Sequence, residues 1–383
     1  MIAQALITEK LHAFLMVSES MHNANMYYAT KFAAPDPFAY IQTEKKKTLL
    51  VSQLEYERAK KESSVKDIRS LLDYGIREKL QELKDADKAL AQALKRFFEE
   101  EQIQKIGVPR DFPAFLLEEL RSSNLSIAFL DKVIERAREV KTLEEIAYIE
   151  KAQFACEEAM KLAREVIKRS KEKNGLLFKN GEPLTSEKIQ SLIEGKLLKL
   201  GCSAEGTIVA SGKQASDPHC AGTGYILSNS PVVIDIFPRL KKERYYADMT
   251  RTFFPGTPPS KEFKEMYNSV LKAQNLALRL IKPGVTGKEV HEAVCDSFAE
   301  DNYKSLRDGK ISRGFLHSTG HGIGLSIHEM PNLNETGEVL REGSVITIEP
   351  GLYDPDVGGV RIEDVVVVTK KGIKNLTKFP KDW

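Results

Sequence analysis

Residues 231–254 read PVVIDIFPRLKKERYYADMTRTFF. Two apolar, β-rich runs, PVVIDIF and YYADMTRTFF, flank the polar RLKKER, which reads as the turn of an antiparallel pair. One acid breaks each run, Asp235 in the first and Asp248 in the second. An acid inside an otherwise apolar strand points into a protein interior, and these two can share a face of the pair. The arrangement recurs downstream, where Glu349 in SVITIEP and Glu363 in GGVRIEDVV stand on either side of the loop 351–359. Further outward lie TIVASG (207–212) and long helical patterns at 144–170, 262–281 and after Thr286. Thr142 and Glu145 have the spacing of a capping box that starts the first of these helices. Helices interleaved with hairpins, without βαβ crossovers, predict an α+β fold for this part of the chain.

The first third reads differently. FAYIQ (38–42) and TLLVS (48–52) form a predicted hairpin around EKKK. In the amphipathic stretch 77–102, Leu80, Leu83, Leu90, Leu94 and Phe97 fall on one helical stripe, which core packing explains better than a partner helix. KIGVP, PAFLLEELRSS and LSIAFL supply a strand, a helix and a strand. The whole predicts a smaller α/β domain over 1–133. The charged segment DKVIERAREVKT marks the boundary with a larger domain over 134–383.

Composition narrows the function classes. In 383 residues, 57 basic and 55 acidic side chains leave a formal charge of +2, so neither nucleic acid nor an acidic membrane is an expected partner. Cys156, Cys202, Cys220 and Cys295 are widely spaced with no C-x-x-C pair, which argues against a zinc ribbon and fits reduced thiols. The segment MIAQALITEKLHAFLMVSES carries charge within any would-be apolar core, and no run reaches membrane-span length, so a cytoplasmic address is expected.

Two pairs of inward-facing acids need compensation. Like charges on facing strands destabilise a sheet, and a buried unpaired carboxylate costs several kcal/mol or takes up a proton. Arg361, two residues from Glu363, and Arg251, close after Asp248, could form a buried salt-bridge network. Two divalent cations match the charge of four carboxylates better, with one or two imidazoles completing the shell. The imidazoles are at hand in GFLHSTGHGIGLSIHEMP (314–331), which holds His317, His321 and His328, three of the seven histidines. Gly320, Gly322 and Gly324 rule against a helix, each costing it about 1 kcal/mol relative to Ala. An extended segment puts His317 and His321 on one face, while His328 needs a bend to join them. A set of buried, hydrogen-bonded loop histidines is the alternative.

Asp235, DMTRT (248–252), HSTGHGIGLSIHE (317–329), IEPGLY (348–353) and VRIED (360–364) resemble, in order, the motifs of the pita-bread metallopeptidases. The branch they resemble holds the Xaa-Pro aminopeptidases and prolidases. The likeness runs from about residue 134 to the end, REVKTLEEI resembles the opening helix of the family's catalytic domain, and the first third has the character of its creatinase-like N-terminal domain. The resemblance implies that Asp235, Asp248, His321, Glu349 and Glu363 hold two divalent ions, with Asp248 and Glu363 bridging both. Mn²⁺ is the first expectation, with Co²⁺ or Zn²⁺ as alternatives. Glu349 would move the proton, His317, His328 and His219 (in SDPHC) would stand on the substrate side, and Arg361 would orient the bridging acids from behind. Ile236-Phe237-Pro238 replaces the family's usual x-Gly after the first Asp, with a longer turn. The leading functional expectation is an Xaa-Pro aminopeptidase acting on proline-containing peptides, as a homodimer. The alternatives are a prolidase confined to Xaa-Pro dipeptides and, from another class, a metal-free binding protein or creatinase-type relative.

Overall fold

The computed structural model describes residues 1–123, 125–204, 206–256 and 258–383, and it divides into two compact units, Met1–Arg138 and Glu139–Trp383. The first unit is built on a mixed six-stranded sheet whose spatial order is Asp67–Ser70, Lys47–Val51, Phe38–Thr43, Ala13–Ser18, Lys105–Val108 and Ser126–Phe129. The expected hairpin is present, with Ala39 opposite Leu50 and Ile41 opposite Thr48. The central strand is buried on both faces: Ala13, Leu15 and Val17 join one apolar cluster, and Phe14 and Met16 the other. The predicted amphipathic stretch 77–102 is two helices, Ile76–Leu83 and Ala86–Glu100. Lys84 adopts a left-handed conformation, and the Asp85 carboxylate caps the second helix by accepting from the Asp87 and Lys88 amides. The stripe therefore splits. Leu94 and Phe97 are buried, whereas Leu80 is 46% exposed.

In the second unit, helices Leu143–Lys168 and Ser186–Lys199 pack on a sheet of Ile208–Ser211, Val232–Ile236 and Met249–Phe253. Helices Lys261–Leu280 and Gly287–Glu300 pack on another, ordered Glu329–Leu333, Gly320–Gly322, Val345–Ile348, Asp364–Thr369 and Gly372–Asn375. This is the α+β architecture expected for this part of the chain. The capping box at Thr142 forms as expected, with the Glu145 carboxylate accepting from the Thr142 amide at 2.8 Å. The loop expected at 351–359 is itself a hairpin, Gly351–Asp354 against Gly358–Arg361. No helix among the described residues is long and apolar enough to cross a membrane.

Strand alternation positions the acids. Val232, Ile234 and Ile236 face the helices of the first layer, so Asp235 faces away from them. Met249 also lies in that apolar layer, so Asp248 and Thr250 share the other face. In the second sheet, Ile346, Ile348, Val360 and Ile362 face helices, which turns Thr347, Glu349, Arg361 and Glu363 the opposite way. A helix-facing apolar residue therefore stands next to each of the four acids.

Candidate metal centre and active site

Asp235 pairs in register with Thr250, so Asp248, two residues earlier, lies diagonally across on the same face. The ladder of the second sheet ends at Ile348 opposite Asp364, and the hairpin beyond resumes at Gly351 opposite Arg361. One register holds on both sides, which sets Glu349 and Glu363 facing one another at the junction.

His321 sits mid-strand between two glycines whose space belongs to neighbouring backbone. A Cβ on Gly320 would lie 2.0 Å from the Thr347 carbonyl oxygen, and one on Gly322 would lie 2.2 Å from that of Met330. The glycines thus admit the adjacent strands, and that close packing fixes the His321 backbone. Nδ1 of His321 donates to the Gly322 carbonyl at 3.0 Å, so Nε2 carries the lone pair. Nε2 lies 3.4 Å from Glu349 Oε1 and 3.7 Å from Asp248 Oδ2. Asp248, His321 and Glu363 each offer a ligand atom within 4.8 Å of the others, and all three are buried.

Arg361 supplies the positive charge. Its Nη2 donates to Asp235 Oδ2 at 2.7 Å, its Nε to Thr250 Oγ1 at 3.1 Å and its Nη1 to the Tyr353 hydroxyl at 2.8 Å. Thr250 in turn donates to Glu363 Oε2 at 2.8 Å. Arg361 therefore reaches Asp235 directly and Glu363 through the Thr250 hydroxyl. Arg251 does not serve the site. It shares the Met249 face, pairs with Asp364 at 2.8 Å and donates to the carbonyls of Glu363, Phe379 and Pro380.

The other histidines divide by environment. His317 donates from Nδ1 to the Ser318 carbonyl (2.8 Å), and its Nε2 accepts from the Tyr353 hydroxyl (2.8 Å). Both ring nitrogens are thus engaged within the protein. Burial, then the Arg361 charge, hold its pKa down at about 3, so it is neutral. His328 is exposed and stands edge-on over His321 with ring centroids 4.3 Å apart. Burial and the neighbouring His321 lower its pKa. His219 is exposed, and its amide donates to Asp217. These residues, the five ligand candidates, Phe237, Ile208 and Ile327 line one cavity of about 640 Å³.

The acids are under electrostatic stress. Burial raises Asp248 and Glu363 well above the usual carboxylate range, and the neighbouring carboxylates push further; burial also lifts Glu349 to about 7. Four acids face one guanidinium. Asp235 Oδ1 and Glu363 Oε1 are buried with no hydrogen-bond partner. Two orphaned carboxylate oxygens beside a lone imidazole nitrogen fit divalent cations, and the oxygen-rich donor set with one nitrogen suits Mn²⁺, Co²⁺ or Zn²⁺. Tyr353, Thr250, Thr347 and Phe237 were not singled out as site residues from the sequence. Thr347 and Thr250 had a local signal, each lying two residues from an acid, Glu349 and Asp248, and so on its face.

A buried acid-and-imidazole cluster opening on a cavity defines a metal-dependent hydrolase, and comparison with known proteins agrees. Residues 147–370 match metallopeptidase family M24, and residues 2–140 match the creatinase/prolidase N-terminal domain. The chain belongs to the M24 metallopeptidases. The Xaa-Pro dipeptidase of Pyrococcus horikoshii is 36% identical over 365 residues, spanning 94% of this chain and 92% of that one. The Xaa-Pro dipeptidase of Pyrococcus furiosus is 35% identical over 369 residues, with the same shares. The X-Pro aminopeptidase of Thermotoga maritima superposes with a TM-score of 0.79 at 28% identity, over 99% of this chain and 97% of that one.

Proposed function

We propose that this M24 enzyme is an Xaa-Pro dipeptidase, hydrolysing the bond before proline in dipeptides. The sequence placed the aminopeptidase first and the dipeptidase second. The order reverses because relatives bearing the dipeptidase name reach 35–36% identity over 92% of their own length. The observation that carries hydrolysis is the pair of orphaned oxygens, Asp235 Oδ1 and Glu363 Oε1, in a cluster that one guanidinium cannot neutralise.

Asp235, Asp248, His321, Glu349 and Glu363 would hold two divalent ions, which supply Lewis acidity and a water acidic enough to ionise near neutral pH. Glu349, whose carboxylate stands 3.4 Å from the His321 nitrogen at the cavity, would take the proton of the attacking water and hand it to the leaving proline nitrogen. His328, neutral and lining the cavity, donates a hydrogen bond to the developing oxyanion, and His219, which lines the same cavity, can do the same. Arg361 holds Asp235 in place and, through Tyr353, fixes the orientation of His317. A proline nitrogen brings no N–H, so apolar residues of the cavity such as Phe237, Ile208 and Ile327 can take the ring without leaving an acceptor unmatched.

The test is a steady-state panel of Xaa-Pro dipeptides against Xaa-Pro-Xaa tripeptides, repeated with Mn²⁺, Co²⁺ and Zn²⁺. Preference for dipeptides by about tenfold or more in kcat/KM supports the dipeptidase. Equal or better cleavage of tripeptides returns the reading to an aminopeptidase.

A further inference from the structure

A second buried ion pair lies outside the ligand cluster. Lys141 Nζ is 2.8 Å from Glu329 Oε1, with the two side chains only 2% and 6% exposed. Glu329 follows His328 directly, and its carboxylate occupies the inside of the loop 324–329. The Ser326 amide donates to its Oε2 at 3.3 Å, and a Cβ on Gly324 would lie 2.4 Å from its Oε1, so only glycine lets the loop close this tightly on the carboxylate. The base of the loop is fastened by the Ile323 amide donating to the Val345 carbonyl and the Tyr246 amide to the Gly324 carbonyl. What the loop presents to the cavity is Ile327 and His328. Lys141 is anchored in its turn, since its amide donates to the Gly343 carbonyl at 2.9 Å and Val140 bridges to Ser344.

We propose that Lys141 is a positioning residue for His328. Its ammonium holds the carboxylate around which the loop is wound, so the segment that opens the catalytic unit sets how the imidazole stands over His321. Lys141 touches neither the cavity nor the ligands, and it acts only through Glu329. A desolvated pair that loses one partner leaves a buried charge, which is relieved by taking up a proton or by the loop opening toward solvent, and either change loosens the carboxylate's hold on the loop. The inference rests on the reading of His328 as a donor to substrate.

Two measurements on the metal-loaded full chain test it. In Lys141→Met, amide hydrogen exchange across 323–332 should rise selectively, with 232–236 unchanged and metal content intact. In the same variant kcat should fall about tenfold with little change in KM. Made on a His328→Ala background, the substitution should cost less than about twofold, because the group it positions is gone. Equal losses in both backgrounds, or unchanged exchange over 323–332, would overturn the proposal. If Lys141→Met does not fold, Glu329→Gln removes the paired charge at constant shape and carries the same expectations. If no Xaa-Pro substrate is cleaved, the exchange measurement decides alone, so failure of the functional reading and failure of this one are distinguishable.

Discussion

Arg361 Nη2 and Asp235 Oδ2 are 2.7 Å apart, and the same guanidinium reaches Thr250 and Tyr353 with its other nitrogens. Three directions of donation from one planar group are beyond a lysine, which offers a single point charge. Arg361→Lys should therefore free Asp235 and Tyr353 while keeping the charge. Activity or metal affinity is expected to fall about 10–100-fold, read by kcat/KM and by metal titration. Wild-type values for both would show that charge alone matters at this position.

The histidines should separate under substitution. His321→Ala removes the one imidazole nitrogen aimed at the acids and should lower metal content measured by elemental analysis. His328→Ala should keep its metal and lose about 10²–10³ in turnover, the usual effect of deleting an oxyanion donor. Equal metal loss in the two variants would contradict this division.

Proline selectivity has its own test. Ala-Pro should be cleaved at least about tenfold faster than Ala-Ala in kcat/KM, a difference of about 1.4 kcal/mol in transition-state binding. Comparable values would leave a metallopeptidase without a proline pocket.

The acid limb of stability has an address in the N-terminal unit. Arg69 bonds Asp67 at 3.2 Å and Glu100 at 2.9 Å and also pairs with Glu101, while Lys46 lies 3.0 Å from Asp67. Burial pushes Asp67 and Glu101 up, but hydrogen bonds from Arg69 and Lys46, with Thr48 adding to Asp67, outweigh it and hold both below their ordinary values. A depressed folded-state pKa gives stability that is present above the unfolded value, about 4, and is lost as pH falls through the folded one. Arg69→Met should lower the melting temperature at pH 7 and flatten its decline below about pH 5. Parallel melting-temperature profiles for wild type and variant would show that this network does not set the acid limb.

What could be read from the sequence was local. Asp235 among valines and isoleucines betrays its face by alternation, and the glycines around His321 exclude a helix on propensity alone. The break between Leu83 and Ala86 was also written locally, in an aspartate before an apolar period, but the continuous stripe hid it. Arg361 was the stronger candidate because it stands two residues from Glu363 and so on its face, whereas Arg251, three residues from Asp248, has the other parity and pairs with Asp364. Thr250 shared Asp248's parity, but nothing local said which acid it would serve. Thr250 reaches Glu363 across 113 residues, a relationship that exists only once both sheets are formed.

That division of the cluster between two sheets gives the ions a second part to play. Asp235 belongs to one sheet and Asp248 adjoins it, while His321, Glu349 and Glu363 belong to or adjoin the other, so neither half holds the whole of the proposed ligand set. Bringing the halves together sets four carboxylates against one arginine, and ions that bind only the joined state stabilise it by mass action. With the ions held as proposed, metal supply and maturation of the fold become a single equilibrium, in which the catalyst also acts as the rivet.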